Sequence, residues 1–178
     1  MIDEVQEILI DEETINKTVK SLAEQINTDY KGKSVVLLII LKGSVVFAAD
    51  LMRCITVDAQ LEFMQVSSYG SGTMSSGKIK ILKDTQIDLK GRDVIIIEDI
   101  IDSGNTLNAL KILLENRGAN VEICTLISKP ARRETEVDVK YMGMEIPDEF
   151  VVGYGMDYDE HFRNLPYIGI LKKEVYGG

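Results

Sequence analysis

The chain has 178 residues, 45% of them hydrophobic and 28% charged, with a formal net charge of −9. A chain of that length buries roughly 70% of its unfolded surface. One domain spanning residues 1–178 therefore needs neither a disulfide nor a metal to hold its core, and the composition excludes disordered, collagen-like and coiled-coil chains. The acidic balance argues against a nucleic-acid partner, which selects a basic footprint. It leaves small anions open, because a few local cations suffice to hold a phosphate on an acidic protein.

The N-terminal stretch is acidic and has no basic segment followed by an apolar one, which predicts no secretory signal and a cytoplasmic protein. Residues 11–30 read as a helix: Ile15, Val19, Leu22 and Ile26 recur at helical spacing, Asp11 caps the start and Gly32 follows the end. Residues 35–41 are apolar throughout, the pattern of a strand buried on both faces. That is the longest aliphatic run, far short of the roughly 20 residues that span a bilayer, so no membrane partner is expected. Lys42, Gly43 and Ser44 form a turn into a helix over 45–52, and 57–66 reads as a second strand.

Residues 67–77 are almost only Ser, Gly, Tyr, Thr and Met, and a polar loop of that length inside a compact domain is usually functional. Its end imitates G-x-x-x-x-G-K, but Ile79 stands where a phosphate-binding loop needs Ser or Thr, and a strand pattern follows instead of a helix. Ile79 and Ile81 alternate with polar residues, as in a hairpin or edge strand. A buried strand is predicted over 94–97, and a helix over 105–116 that ends at Gly118. Further strands are predicted over 121–127, 150–153 and 168–171. Buried strands alternating with helices imply an α/β fold with a mainly parallel sheet flanked by helices. Cys54 and Cys124 lie in apolar settings and read as two buried, reduced thiols. His161 is the only histidine, so it builds no metal cluster and reads as structural.

The stretch from Val94 to Leu107 carries the chemistry. A buried strand ends in Glu98 and Asp99, a third carboxylate follows at Asp102, and Ser103, Gly104, Asn105 and Thr106 open a helix. Parallel sheets bind ligands beyond the carboxyl ends of their strands, and amides at a helix N-terminus suit a monophosphate. The plainer reading of Asp102 is a cap for that helix.

This run resembles the 5-phosphoribosyl pyrophosphate (PRPP) signature of the type I phosphoribosyltransferases. Leu41, Lys42 and Gly43 resemble the pyrophosphate loop of the hypoxanthine-guanine phosphoribosyltransferases, and Ser68, Tyr69 and Gly70 the start of their mobile catalytic loop. Ser128 and Lys129 stand where that family places its purine-reading lysine. Residues 150–163 resemble its base-binding and metal-binding segment. The resemblance runs in family order over about residues 35–171.

The resemblance implies that fold, with a small hood formed by the terminal segments, and transfer of a phosphoribosyl group from PRPP to a 6-oxopurine. It implies that Glu98 and Asp99 accept hydrogen bonds from the ribose hydroxyls and that Asp102 takes the purine's imidazole proton. Ser103, Gly104, Asn105, Thr106 and Leu107 would cradle the 5′-phosphate. Lys42 and Gly43, with Arg163, would hold pyrophosphate, and Ser68 and Tyr69 would belong to a closing lid. Lys129 would donate to the purine oxygen, Phe150 would stack on the base and the Val151 main chain would read its edge. Asp157, with Glu98 and Asp99, would bind Mg²⁺, and a homodimer or homotetramer is implied. The same fold also serves nucleotide-responsive regulators of nucleic acids, a second reading that the net charge of −9 opposes. A xanthine-preferring relative is a third.

Overall fold

The computed structural model describes residues 2–68 and 79–177, with Ser68 described only as backbone. Thirteen elements longer than a single turn run in the order β1 (Val5–Ile10), α1 (Glu12–Asp29), β2 (Ser34–Ile40), α2 (Val45–Cys54), β3 (Asp58–Ser68), β4 (Ile79–Lys83), β5 (Asp93–Ile101), α3 (Asn105–Asn116), β6 (Asn120–Ser128), β7 (Tyr141–Glu145), β8 (Val151–Val152), β9 (Ile168–Leu171) and α4 (Lys173–Tyr176). Six strands form one sheet in the order β4-β3-β2-β5-β6-β7. All its pairings are parallel except that of the edge strand β4 with β3.

The apolar runs of β2 and β5 follow from this placement, because both faces of the central strands are covered. Val35, Leu37, Ile39, Ile95 and Ile97 pack on one face against α1 and α2, through Ile15, Leu22, Ile26 and Phe47. Val36, Leu38, Ile40, Val94 and Ile96 pack on the other against Leu107, Leu110 and Leu114 of α3. Helix α1 starts where expected: the Asp11 carboxylate accepts from the Thr14 amide at 2.8 Å, a capping bond worth about 1 kcal/mol.

A second sheet, β1-β9-β8, is antiparallel and joins the N-terminal strand to the two C-terminal ones. Val5, Val152 and Leu171 form its core. It is the hood expected from the terminal segments, although β1 itself goes unread in the sequence. Only Val5 and Ile10 of β1 are buried, too few to give a strand signal in an acidic stretch.

Strand β7 is likewise an addition. Only Tyr141 in it is buried, and Gly143 interrupts its pattern. Strand β5 corrects a boundary, since it runs on to Ile101, past the expected end at 97. Glu98 and Asp99 thus lie within the strand and not beyond it. Cys124 is buried but Cys54 only half-buried at the end of α2, and both are free thiols. Burial pushes the Cys124 thiol well above the ordinary cysteine range, which makes it inert.

Candidate active site

The pairing of β2 with β5 stops at Ile39 and Ile97, while β5 stays paired to β6 as far as Ile101 and Ser128. The last four residues of β5 therefore pass beside the turn that follows β2. Ser44 of that turn donates to Glu98 Oε1 at 3.3 Å. Gly43 lies against Asp99 so closely that a Cβ added there would overlap the carboxylate, with Cγ only 2.9 Å away. The Leu41–Lys42 peptide in the same turn is cis. Burial, reinforced by the neighbouring Asp99 charge, pushes the Glu98 carboxyl well above the usual range, and burial raises Asp99 as well. Two adjacent carboxylates at one strand end cannot both shed a proton cheaply.

Two cavities open on this edge. The first, about 300 Å³, is lined by Lys42, Gly43, Asp99, Asp102, Lys129, Phe150, Val151, Asp157 and Arg163, together with Ile100 and Met156. The second, about 270 Å³, is lined by Glu98, Asp102, Ser103, Gly104, Thr106 and Leu107, with Ile40, Leu41, Val66, Ile100 and Ile101. Asp102 and Ile100 line both. Expectations from residues as far apart as Lys42 and Arg163 thus converge on one place. Ile100 and Met156, inside the two motif stretches, are lining residues with no expected role.

The Asp102 capping reading is corrected. The cap of α3 is Gly104, at φ 84°, and the side-chain bond next to it comes from Ser103, whose Oγ accepts from the Asn105 amide at 3.3 Å. Gly104 is required there: besides its left-handed backbone, an added Cβ would come within 2.6 Å of the Thr135 carbonyl oxygen. Asp102 instead pairs with Arg132, Nε to Oδ1 at 2.8 Å, each side chain about half exposed. Around the turn, the Ser103 carbonyl accepts from the Glu134 and Thr135 amides at 3.0 and 3.1 Å. Asn105 Nδ2 donates to Glu134 at 2.6 Å, and Thr135 donates to Asn105 Oδ1. The side chain of Leu107 is spent in the core, so only its backbone is available to the turn.

Lys129 is buried, and its amide donates to Ile101 O at 2.9 Å, at the end of β5. Burial pushes its ammonium below the usual lysine range, while Asp102 and Asp148 pull it back up. Phe150 is 36% exposed, unlike the core residue that an isolated phenylalanine suggests. It stands just before β8 and not within it.

Residues 153–163 form a tight excursion. Tyr154, Asp159, Glu160 and Phe162 all have positive φ, a conformation uncommon outside glycine. Asp157 accepts from the Glu160 amide at 2.9 Å and pairs with Arg163 at 2.9 Å. Glu160 bridges Lys42 at 3.0 Å and Arg163 at 3.3 Å, and these bonds hold its carboxyl below the usual range, the Lys42 bond most. Glu160 and Arg132 are partners that sequence reasoning missed, since lone charged residues in loops carry no signal. His161 is exposed. Ser68 ends β3, and Tyr69 and the glycine-rich stretch lie outside the described residues, so neither the lid expectation nor the decoy phosphate loop is placed.

Gly155, at φ 99°, sits where an added Cβ would strike the Gly43 carbonyl oxygen. Gly155→Ala combines a left-handed backbone with a backbone clash. It should cost about 1–3 kcal/mol, read as a lowered melting temperature.

The carboxylates present suit a hard cation. Asp99 and Asp157 line the same cavity, yet no group of three or more ligating side chains occurs among the described residues. A few protein oxygens with the rest of the shell supplied by phosphate and water is the habit of Mg²⁺, so the residues fit that ion.

The chain is similar to known proteins over nearly its whole length. The family model described as the phosphoribosyl transferase domain matches residues 5–159. The hypoxanthine-guanine phosphoribosyltransferase of Lactococcus lactis is 51% identical over 97% of this chain and 94% of its own. A bifunctional TilS/HprT protein of Listeria monocytogenes is 46% identical over 99% of this chain and 27% of its own. A crystal structure of a Staphylococcus aureus hypoxanthine phosphoribosyltransferase superposes with a TM-score of 0.96 at 48% identity, covering 99% of this chain and 96% of that one.

Proposed function

This chain belongs to the phosphoribosyltransferase family, and from that premise we propose that it salvages purines, transferring the 5-phosphoribosyl group of PRPP to hypoxanthine or guanine and releasing pyrophosphate. The observation that carries the reading is the junction of the two cavities at Asp102. A transfer needs a base in one compartment, a sugar phosphate in the other and a proton acceptor where they meet.

In the first cavity Phe150 offers a ring face to the base, the Val151 main chain its edge, and Lys129 a charged donor to the 6-oxo group. Lys42, Gly43 and Arg163 hold the pyrophosphate. In the second, Ser103, Gly104, Asn105, Thr106 and the Leu107 backbone receive the 5′-phosphate, as a helix N-terminus does. Ser68 and Tyr69 start the segment that excludes water.

Glu98 and Asp99 reach the two compartments from one strand end and accept from the ribose hydroxyls. Their negative charge favours a ribosyl group becoming cationic. Asp102 accepts the proton lost by the purine ring. Asp157, Glu98 and Asp99 would hold Mg²⁺, which when bound supplies charge neutralisation to the departing pyrophosphate.

The activity belongs to one domain, residues 1–178. A homodimer or homotetramer in the cytoplasm is part of the proposal. Val45 and Met52 of α2 and Leu61 of β3 leave apolar surface exposed that such an assembly would use. No helix among the described residues is long and apolar enough to cross a membrane.

The test is nucleotide formation from PRPP and Mg²⁺ with hypoxanthine, guanine, xanthine and adenine in parallel. Hypoxanthine and guanine should be converted. Conversion of adenine alone, or of no base, overturns the reading.

The Gly43–Asp99 contact adds a variant. In Gly43→Ala the new methyl displaces the end of a side chain that borders the first cavity, and no backbone, so the fold should survive while ribose binding suffers. The expected result is kcat/KM for PRPP lower by about tenfold, roughly 1.4 kcal/mol, with the melting temperature near the parent's. An unchanged kcat/KM would place the Asp99 carboxylate outside the reaction.

A further inference from the structure

Phe150 does not stand alone. Tyr176 of α4 stacks on its ring, centroids 4.6 Å apart and planes at 23°. Tyr158 meets it edge-on at 5.7 Å and 85°, and the two tyrosines lie 6.5 Å apart at 64°. Offset stacking and edge-to-face contact are the two favourable aromatic geometries, and Phe150 has one of each. Phe150 lines the first cavity and neither tyrosine does.

The C-terminal turn that brings Tyr176 there is itself tied down. The Leu171 amide donates to Phe150 O at 2.8 Å and the Lys172 amide to Glu4 O at 3.0 Å. Val175 and Tyr176 pack on the hood core of Val5, Val152 and Leu171. Residues 171–176 thus connect the hood to the Phe150 ring.

We propose that Tyr176 is a positioning residue for the purine: its ring, with Tyr158 at the edge, holds Phe150 in the plane that a stacked base requires. A ring 36% exposed and bounded by cavity on one side would otherwise swing about its side-chain torsions, and the base would have to order it on binding. Prior ordering by Tyr176 removes that cost from base affinity and leaves PRPP affinity alone. The inference rests on Phe150 being the base platform.

The experiment compares the parent with Tyr176→Leu, Tyr176→Phe, Phe150→Leu and the double Leu variant. It measures the KM of hypoxanthine, the KM of PRPP, kcat and melting temperature. Leu keeps apolar bulk but offers no flat face. Tyr176→Leu should raise the hypoxanthine KM about three- to tenfold, the range of one aromatic pair, with the PRPP KM and kcat moving less than twofold. Tyr176→Phe should restore the parental value, because the ring and not the hydroxyl does the positioning. In the Phe150→Leu background, Tyr176→Leu should add nothing. This cycle keeps the inference testable even where Tyr176→Leu also weakens the hood.

A raised hypoxanthine KM in Phe150→Leu with a parental one in Tyr176→Leu overturns the positioning role and leaves the platform standing. A parental value in Phe150→Leu removes the platform and the proposal with it. A lowered hypoxanthine KM in Tyr176→Leu would make the tyrosine a competitor of the base and also overturns the proposal, as does an equal effect of Tyr176→Leu in both backgrounds.

Discussion

Asp102→Asn should lower kcat by about 10²-fold or more, the size of a general-base contribution, and leave the KM for PRPP and the melting temperature near their parental values. The substitution keeps the shape and removes the basicity. Asp102 is not the cap of α3, which begins at Gly104 with the Asn105 amide bonded to Ser103 Oγ. What Asn gives up is the pair with Arg132, whose two side chains are 53% and 47% exposed, and such pairs contribute under about 1 kcal/mol. Asp102→Ala should likewise fold normally. A kcat loss in both variants without a change in melting temperature assigns Asp102 to the reaction. A parental kcat in Asp102→Asn ends the general-base role, provided a pre-steady-state burst is absent and chemistry limits turnover.

The large parallel sheet was legible because its signal is dense. Seven successive apolar residues at 35–41 have no partner in solvent, so the strand had to lie between two layers, and it does. Strands β1 and β7 escaped notice for the opposite reason. Each buries only one or two side chains and owes its place to backbone pairing, β1 with the distant β9 and β7 with the preceding β6. The end of β5 was misjudged because Glu98 looks like the close of an apolar strand. In fact β6 continues to pair it as far as Ile101, which burial alone does not announce.

The site divides the same way. Residues held together by one strand and its following turn, Glu98 to Leu107, could be read from their order. Their distant partners could be read only through family resemblance. The contacts among them could not be read at all. Nothing in the sequence says that Gly43 leaves no space beside Asp99, that Glu160 spans Lys42 and Arg163, or that Tyr176 lies on Phe150. Each depends on how separate elements meet: the turn after β2 with β5, that turn with residues 153–163, and α4 with the residue before β8.

Lys129→Ala should raise the KM for hypoxanthine by roughly ten- to a hundredfold and change that for PRPP little. The estimate is that of one hydrogen bond from a charged donor, about 1.5–3 kcal/mol. Lys129 is buried at the foot of the first cavity, so water cannot readily replace its ammonium against the purine oxygen. Lys129→Met tests the alternative that the stem matters for packing. It keeps the bulk, and should lose base affinity as Lys129→Ala does while holding a melting temperature closer to the parent's. The pH dependence has a defined sign. Burial lowers the folded pKa of Lys129 below the ordinary lysine value, about 10.4 in the unfolded chain. The donor is the protonated form, so base affinity should fall as pH rises through that lowered value, at less alkaline pH than an exposed lysine would give. Over the same window the unfolded chain holds more protons at this position, so its contribution to stability rises with pH. Affinity and stability should therefore diverge on the alkaline side in the parent, after the free base's own titration is subtracted by comparison with Lys129→Met. An equal hypoxanthine KM in parent and both variants would return Lys129 to the role of a residue that merely ends β6.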